Sequence, residues 1–174
     1  MLPSHCSYFL IMKSILLIRH AKSSWDFNVK DFDRPLNHRG ETDAPAMAKR
    51  LLKKDIKIDA FVSSPAKRAI STAAYFADVY DKKKKNIIVI PALYEAGVID
   101  FFNAIDGLDG DLKNVALFSH NPGITAFANK LTDTKIDDMP TCAVFAVKAD
   151  IKKWEDFATS KKEFWFFDYP KAHQ

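Results

Sequence analysis

The sequence is poor in cysteine and glycine and contains no long apolar run. Two cysteines, Cys6 and Cys142, are too few for a disulfide framework or a cysteine-rich zinc site. Only 5 glycines and 8 prolines in 174 residues exclude a fibrous repeat, and 48% hydrophobic residues exclude a disordered chain. No apolar stretch reaches the roughly eighteen residues of a membrane-spanning helix. We therefore expect a folded cytoplasmic protein with reduced thiols.

The charge is mildly basic, with 26 lysines and arginines against 22 acidic residues. Much of the excess is the lysine run 82–85, which we interpret as a solvated turn because no aromatic residues alternate with it. We expect neither a nucleic-acid nor a membrane partner. The apolar segment 8–18 has no cationic flank before it and no small-residue cleavage site after it, so a signal peptide is not expected. We predict an N-terminal appendage over residues 1–11 and a single domain over residues 12–174.

Short apolar runs alternate with amphipathic segments, a pattern typical of βαβ units. Strands are predicted at residues 14–18, 60–63, 87–90, 115–118, 143–147 and 164–167. Helices are predicted at about 42–54, after Ser64-Pro65, at 99–105 and at 124–131, with a helix or turn at 151–157. Pro45 would then lie in a first helical turn, and Ser64 would cap the second helix. The predicted fold class is α/β, a three-layer sandwich with a mainly parallel central sheet.

Polar residues that could carry chemistry follow three of the predicted strands. They are Arg19-His20, then Ser63-Ser64-Pro65 with Arg68, and Ser119-His120. Ligands of open α/β sheets bind beyond the carboxyl ends of the strands, so two histidines and two arginines should meet at one edge. Arginine binds phosphate oxygens in a fork, a neutral imidazole can attack phosphorus, and a second imidazole can stabilise the transferring group. The set predicts a phosphate pocket with a histidine nucleophile.

Other devices for phosphoryl transfer are missing from the sequence. There is no phosphate-binding P-loop and no H-E-x-x-H motif. A cysteine-based phosphatase needs an arginine six residues after its cysteine, where Met12 and Lys148 stand instead. Asp31 and Asp33 are interpreted as loop carboxylates, because the residues before them do not form a buried strand. We therefore expect neither a catalytic metal nor a cofactor.

Four separated motifs, spread over about residues 12–147, resemble those of the histidine phosphatase superfamily, which has the phosphoglycerate mutase-like fold. They are Arg19-His20-Ala21-Lys22-Ser23, Arg34-Pro35-Leu36-Asn37-x-x-Gly40, Ser63-Ser64-Pro65-x-x-Arg68-x-x-x-Thr72 and Ser119-His120-Asn121-Pro122-Gly123. The short chain and the first motif most resemble the SixA-type phosphohistidine phosphatase branch, although Ala21 stands where the family usually has glycine. The resemblance implies that His20 is the nucleophile and that Arg19, Arg68 and His120 bind the phosphoryl group.

Three further residues near these motifs, Glu95, Lys22 and Ser23, each have two possible roles. Glu95 stands where larger relatives carry their proton donor, and it is either that acid or an exposed loop residue. Lys22 and Ser23 either donate to the phosphate or belong to the loop surface. The expected function is a metal-independent phosphatase that forms a phosphohistidine intermediate and acts on a phosphorylated protein, namely protein phosphohistidine. A small phosphomonoester as the substrate, or a non-catalytic protein that binds phospho-ligands, are the alternatives.

Overall fold

The computed structural model describes residues 12–26 and 28–172, so the predicted appendage at residues 1–11 lies outside the described residues. Within these ranges the chain forms six strands and four α-helices. In chain order they are β1 (Met12–Arg19), α1 (His38–Lys53), β2 (Ala60–Ser63), α2 (Lys67–Val79), β3 (Ile88–Val89), α3 (Val98–Asp106), β4 (Asn114–Ser119), α4 (Gly123–Leu131), β5 (Val144–Asp150) and β6 (Lys162–Asp168). Short 3-10 helices lie at Asp31–Asp33, Lys84–Asn86, Pro91–Leu93 and Trp154–Asp156.

The strands form one sheet in the order β3-β2-β4-β1-β5-β6. The pairs β3-β2, β2-β4 and β4-β1 are parallel, whereas β5 runs antiparallel to both β1 and β6. The prediction of a mainly parallel sheet is thus confirmed. β1 and β4, the two strands predicted to be central, lie side by side in the middle of the sheet, with all their core positions buried.

Helices cover both faces of the sheet, which confirms the three-layer sandwich. Leu16 and Ile18 of β1 pack into an apolar cluster with α1 and α2. Ile15 and Leu17 point to the opposite face and pack with α3 and α4. Because successive side chains of a strand point to opposite faces, both layers need a strand that is apolar at every position. No helix among the residues that the structure describes has the length and apolar character needed to cross a membrane.

The first helix begins earlier than its apolar spacing predicted. Asn37 is the N-cap of α1, and its side chain accepts a hydrogen bond from the Gly40 N–H at 2.9 Å. The helix therefore begins at His38, and Pro45 lies in its interior, not in its first turn. The prediction was wrong because the capping residue, not the first apolar residue, sets where a helix begins.

The second helix begins later than predicted. Ala66 is the N-cap of α2 and makes no side-chain capping bond. The hydroxyl of Ser64 lies 2.7 Å from Nε2 of His120, and the predicted cap is instead part of the functional site.

The carboxyl ends of β1, β2 and β4 lie next to one another at one edge of the sheet. The His20 N–H donates to the Ser119 carbonyl at 3.1 Å, and the Ser64 N–H donates to the Phe118 carbonyl at 3.0 Å. The parallel register, which pairs Arg19 with Ser119, thus brings together the residues that follow all three strands.

Candidate active site

The hydrogen bonds of His20 fix which of its ring nitrogens carries the proton. Its Nδ1 lies 2.7 Å from the Ala21 carbonyl, which can only accept, so Nδ1 carries the proton. Its Nε2 accepts a hydrogen bond from Nε of Arg68 at 3.2 Å. Burial lowers the pKa of His20 to about 3, and the nearby charges of Arg68 and Arg19 act in the same direction. His20 is therefore neutral at pH 7, with the lone pair of Nε2 available.

The loop after His20 is held by contacts to two helices. The Ala21 N–H donates to the Thr72 hydroxyl on α2 at 2.9 Å, and Ala21 itself is fully buried. The Lys22 carbonyl accepts from the Asn37 N–H at 3.0 Å. A Cβ atom on Gly40 would lie 2.1 Å from that carbonyl oxygen, so only glycine allows α1 to approach this closely.

His120 and Arg19 each have a buried nitrogen atom without a hydrogen-bond partner among the described residues: Nδ1 of His120 and Nε of Arg19. The two histidine rings lie 5.1 Å apart between centroids. Burial lowers the pKa of His120 to about 4, and the charge of Arg68 adds to this effect. Because buried polar atoms normally find partners, two unsatisfied nitrogens beside His20 favour a site that binds an anion.

Arg19 is anchored on its outer side by the loop before β5. Its Nη1 donates to the Met139 carbonyl at 2.6 Å and to the Asp138 carboxylate at 3.3 Å. Asp138 also accepts a hydrogen bond from the Asn121 amide at 2.5 Å. The loop thus fixes the guanidinium while its Nε stays unpaired.

Asp31 is part of the site, contrary to its interpretation as a loop carboxylate. Its carboxylate accepts from Nη2 of Arg68 at 2.9 Å, Nη1 of Arg34 at 2.9 Å and the Tyr94 hydroxyl at 3.0 Å. Its backbone carbonyl accepts from Nη1 of Arg68. Burial opposes ionisation of Asp31, but the hydrogen bonds from Arg34 and Arg68 prevail and lower its pKa to about 2. The sequence analysis did not identify Asp31, Arg34 and Tyr94 as site residues. The one local signal was the three-residue spacing of Asp31 and Arg34, which allows the two side chains to form an ion pair.

Arg34 joins Asp31 to the loop after His20. Its Nη2 donates to the Ser23 hydroxyl at 2.6 Å, and its Nε donates to the Ser24 carbonyl at 3.0 Å. The guanidinium carbon lies 3.2 Å from the ring centroid of Trp25, whose side chain is 75% exposed. Ser23 is buried and lines the same pocket as His20, and the exposed Lys22 lies at its edge.

Two chambers meet at Arg68, His120 and Asn121, and we name them for the roles that we propose for them. The smaller, which we call the phosphoryl chamber, has a volume of about 220 Å³ and contains His20, Arg19, Lys22, Ser23 and Arg34 in its walls. The larger, which we call the leaving-group chamber, has a volume of about 500 Å³ and is walled by Asp31, Tyr94, Glu95, Gly97 and Pro122 among others. All seven residues predicted for the site line one chamber or the other. Glu95 is exposed in the larger one.

The described residues contain no cluster of three or more histidine, cysteine, aspartate or glutamate side chains that could hold a metal ion. The thiol of Cys142 is fully buried, and burial raises its pKa, so it is a poor nucleophile at neutral pH.

Comparisons with known proteins identify the family of the chain. The model of the histidine phosphatase superfamily (branch 1) matches residues 15–105, a range that includes Arg19, His20, Arg68 and Glu95. The sequence is 30% identical over 165 residues to an uncharacterized chloroplastic protein of Arabidopsis thaliana, covering 89% of this chain and 75% of that protein.

Two solved structures share the fold. A SixA-type structure from Nakamurella multipartitia has a TM-score of 0.77 and 21% identity, over 92% of this chain and 98% of the other. The protein histidine phosphatase SixA complexed with tungstate also has a TM-score of 0.77, with 22% identity over 90% of this chain and 97% of the other.

Proposed function

Because the chain belongs to the histidine phosphatase superfamily, we propose that it is a metal-independent phosphatase that hydrolyses protein phosphohistidine through a phosphoenzyme on His20. Family membership makes it a phosphatase or a phosphomutase enzyme. The observation that carries the finer proposal is the state of His20, which is neutral, with Nδ1–H held by a carbonyl and Nε2 facing Arg68.

In the first step Nε2 of His20 attacks phosphorus, the bond from phosphorus to the leaving group breaks, and the leaving group takes the electron pair. The imidazole becomes positively charged, and the Ala21 carbonyl stabilises it through Nδ1–H. The buried Nε of Arg19 and Nδ1 of His120 are available to donate to the phosphoryl oxygens. Charge stabilisation by fixed donors is often the largest catalytic contribution, and here arginines provide it in place of a metal.

In the second step a water molecule attacks phosphorus and the bond to Nε2 breaks, which releases inorganic phosphate and restores neutral His20. The same donors hold the oxygens in both steps. Lys22 at the edge of the chamber, and the Ser23 hydroxyl that accepts from Arg34, are proposed as further phosphate contacts.

Two observations favour phosphohistidine on a protein as the substrate. An imidazole takes up a proton on its second nitrogen near neutral pH and then departs as a neutral group, so it does not depend on a carboxylic acid at the leaving atom. The candidate acid Glu95 is an exposed residue. Two exposed aromatic rings lie at or beside the pocket: Trp25, 75% exposed, lines the phosphoryl chamber, and Phe32, 38% exposed, packs against Tyr94. A protein surface could cover them. We propose a phosphorylated protein as the partner and the cytoplasm as the location.

A phosphatase of small phosphomonoesters is the second candidate. The leaving-group chamber of about 500 Å³ favours it, because cavities of this size typically hold small molecules.

A turnover panel tests the proposal. Phosphohistidine on a protein, the same phosphohistidine in a short peptide, and common sugar phosphates are compared with and without a chelator. We expect the highest kcat/KM on the protein and no effect of the chelator. A clear preference for a sugar phosphate would support the second candidate, and a requirement for added divalent metal would contradict the mechanism.

A further inference from the structure

The two chambers of the pocket differ in charge. The phosphoryl chamber is lined by four cationic side chains, Arg19, Lys22, Arg34 and Arg68, and its described walls contain no carboxylate. The leaving-group chamber is lined by two carboxylates, Asp31 and Glu95, and by one cation, Arg68, which it shares with the first chamber. A dianionic phosphoryl group therefore fits the first chamber and is repelled by the second.

Arg68 is engaged with Asp31 and His20 and does not offset the charge of Glu95. Its two Nη atoms donate to Asp31, and its Nε points to Nε2 of His20, where the phosphoryl group arrives. Asp31 in turn is paired with both Arg68 and Arg34. None of the ion pairs among the described residues includes Glu95, so its charge is the one left uncompensated in this chamber.

The backbone holds Glu95 at the chamber wall. Its φ is 54°, in the left-handed region, and the neighbouring Ala96 is buried. The carbonyl of Ala96 approaches Gly123 so closely that a Cβ atom there would lie 1.9 Å from the oxygen. The Leu93 carbonyl accepts from the Ser119 hydroxyl at 2.8 Å. The segment that carries Glu95 is thus fixed against the ends of β4 and α4.

We propose that this charge distribution selects leaving groups that carry no negative charge, neutral or cationic ones such as imidazole, over leaving groups with a carboxylate or a second phosphate. The inference rests on the proposed function, because it places the transferred phosphoryl group on His20. It narrows the substrate class: simple amine-bearing or imidazole phosphoryl compounds fit, whereas phosphorylated carboxylic acids and bisphosphates do not.

Three aryl phosphates with the same ring test the selection. Their para substituents are 2-aminoethyl, ethyl and 2-carboxyethyl, so the leaving oxygens are similar and only the remote charge differs. Two like charges about 6 Å apart change a rate by about tenfold where the effective dielectric constant is about 40, between the values for a protein surface and for bulk water. We expect kcat/KM on the carboxylate to be about tenfold lower than on the ethyl compound, and the difference to shrink at high salt.

Variants of Glu95 separate the effect of its charge from proton donation. Glu95→Gln should bring the ratio of the ethyl to the carboxylate compound close to one, and Glu95→Lys should make the carboxylate the better substrate. Glu155→Gln, which changes an exposed carboxylate in the 3-10 helix Trp154–Asp156, is the matched control and should keep the wild-type ratio. Aryl oxides leave with little protonation, so loss of a proton donor would lower all three rates only slightly and by the same factor, and the ratio would stay unchanged.

The outcomes distinguish this inference from the proposed function. Equal kcat/KM on all three compounds, with a phosphoenzyme still forming on His20, would overturn the selection and leave the function intact. An unchanged ratio in both Glu95 variants would also overturn it. If neither these compounds nor phosphohistidine on a protein is hydrolysed and no phosphoenzyme forms, the proposed function itself is wrong.

Discussion

Replacing Gly40 with alanine should damage the site through one backbone contact. Gly40 is the third residue of α1, and an added Cβ atom would lie 2.1 Å from the Lys22 carbonyl oxygen, where ordinary contact begins at 3.4 Å. The Cβ atom is bonded directly to the backbone and the oxygen belongs to it, so neither can rotate away. Either α1 or the loop after His20 must therefore move by about an ångström. Overpacking of this kind costs roughly 1–3 kcal/mol, against roughly 0.5–1 kcal/mol gained by replacing glycine in a helix. We expect a net loss of about 1–2 kcal/mol in the free energy of unfolding.

Activity should suffer more than stability. The loop that moves lies two residues after His20, and a misplacement of about 1 Å can lower a rate by about 100-fold. Urea unfolding and kcat on an aryl phosphate are measured for Gly40→Ala, with Gly110→Ala as the control because a Cβ there meets nothing within 4 Å. If Gly40→Ala kept both wild-type stability and wild-type kcat, the close packing of α1 on the loop would not be what positions His20.

Two further predictions concern Asp31 and the buried histidines. Asp31→Asn should lower kcat by about 10–100-fold and change KM less, because Arg68 and Arg34 lose charge-assisted bonds to one carboxylate. Asp33→Asn, which changes an exposed carboxylate, is the control, and equal kcat in both variants would contradict the role of Asp31. Stability should fall as the pH is lowered. His20 and His120 have pKa values lowered to about 3 and about 4 in the folded protein, against 6.5 otherwise, so the unfolded chain binds more protons between pH 6.5 and about 4. The contribution of the two buried histidines to the free energy of unfolding is complete above pH 6.5 and is lost below it, by a few kcal/mol at most. Urea unfolding of wild type and His20→Gln across this window should show a smaller loss of stability in the variant, and parallel curves would disprove the burial argument.

The residues brought together by strand topology could be predicted from the sequence. The runs 15–18 and 115–118 are apolar at every position, which identifies them as central strands covered on both faces. Parallel strands end at one edge, so the residues after them, Arg19-His20 and Ser119-His120, had to lie close together. The distance of 5.1 Å between the two imidazole rings follows from that placement.

The contacts of Asp31 could not be predicted in the same way. Asp31 lies 37 residues before Arg68, and the two meet because a short 3-10 helix folds back over α2. No periodic pattern of apolar residues marks such a loop. The beginning of α1 was also misjudged, because Asn37 caps the helix seven residues before the first buried apolar residue, Ala44.

The central claim is that His20 carries the phosphoryl group during turnover, and rapid trapping tests it most directly. The protein is mixed with a phosphoryl donor labelled in its phosphate and quenched within milliseconds. We expect a label that acid removes and alkali does not, located on His20, in wild type and in His38→Ala, which changes an exposed histidine at the start of α1. His20→Ala should show neither label nor turnover. An acid-stable label, a label on another residue, or full turnover by His20→Ala would contradict the account.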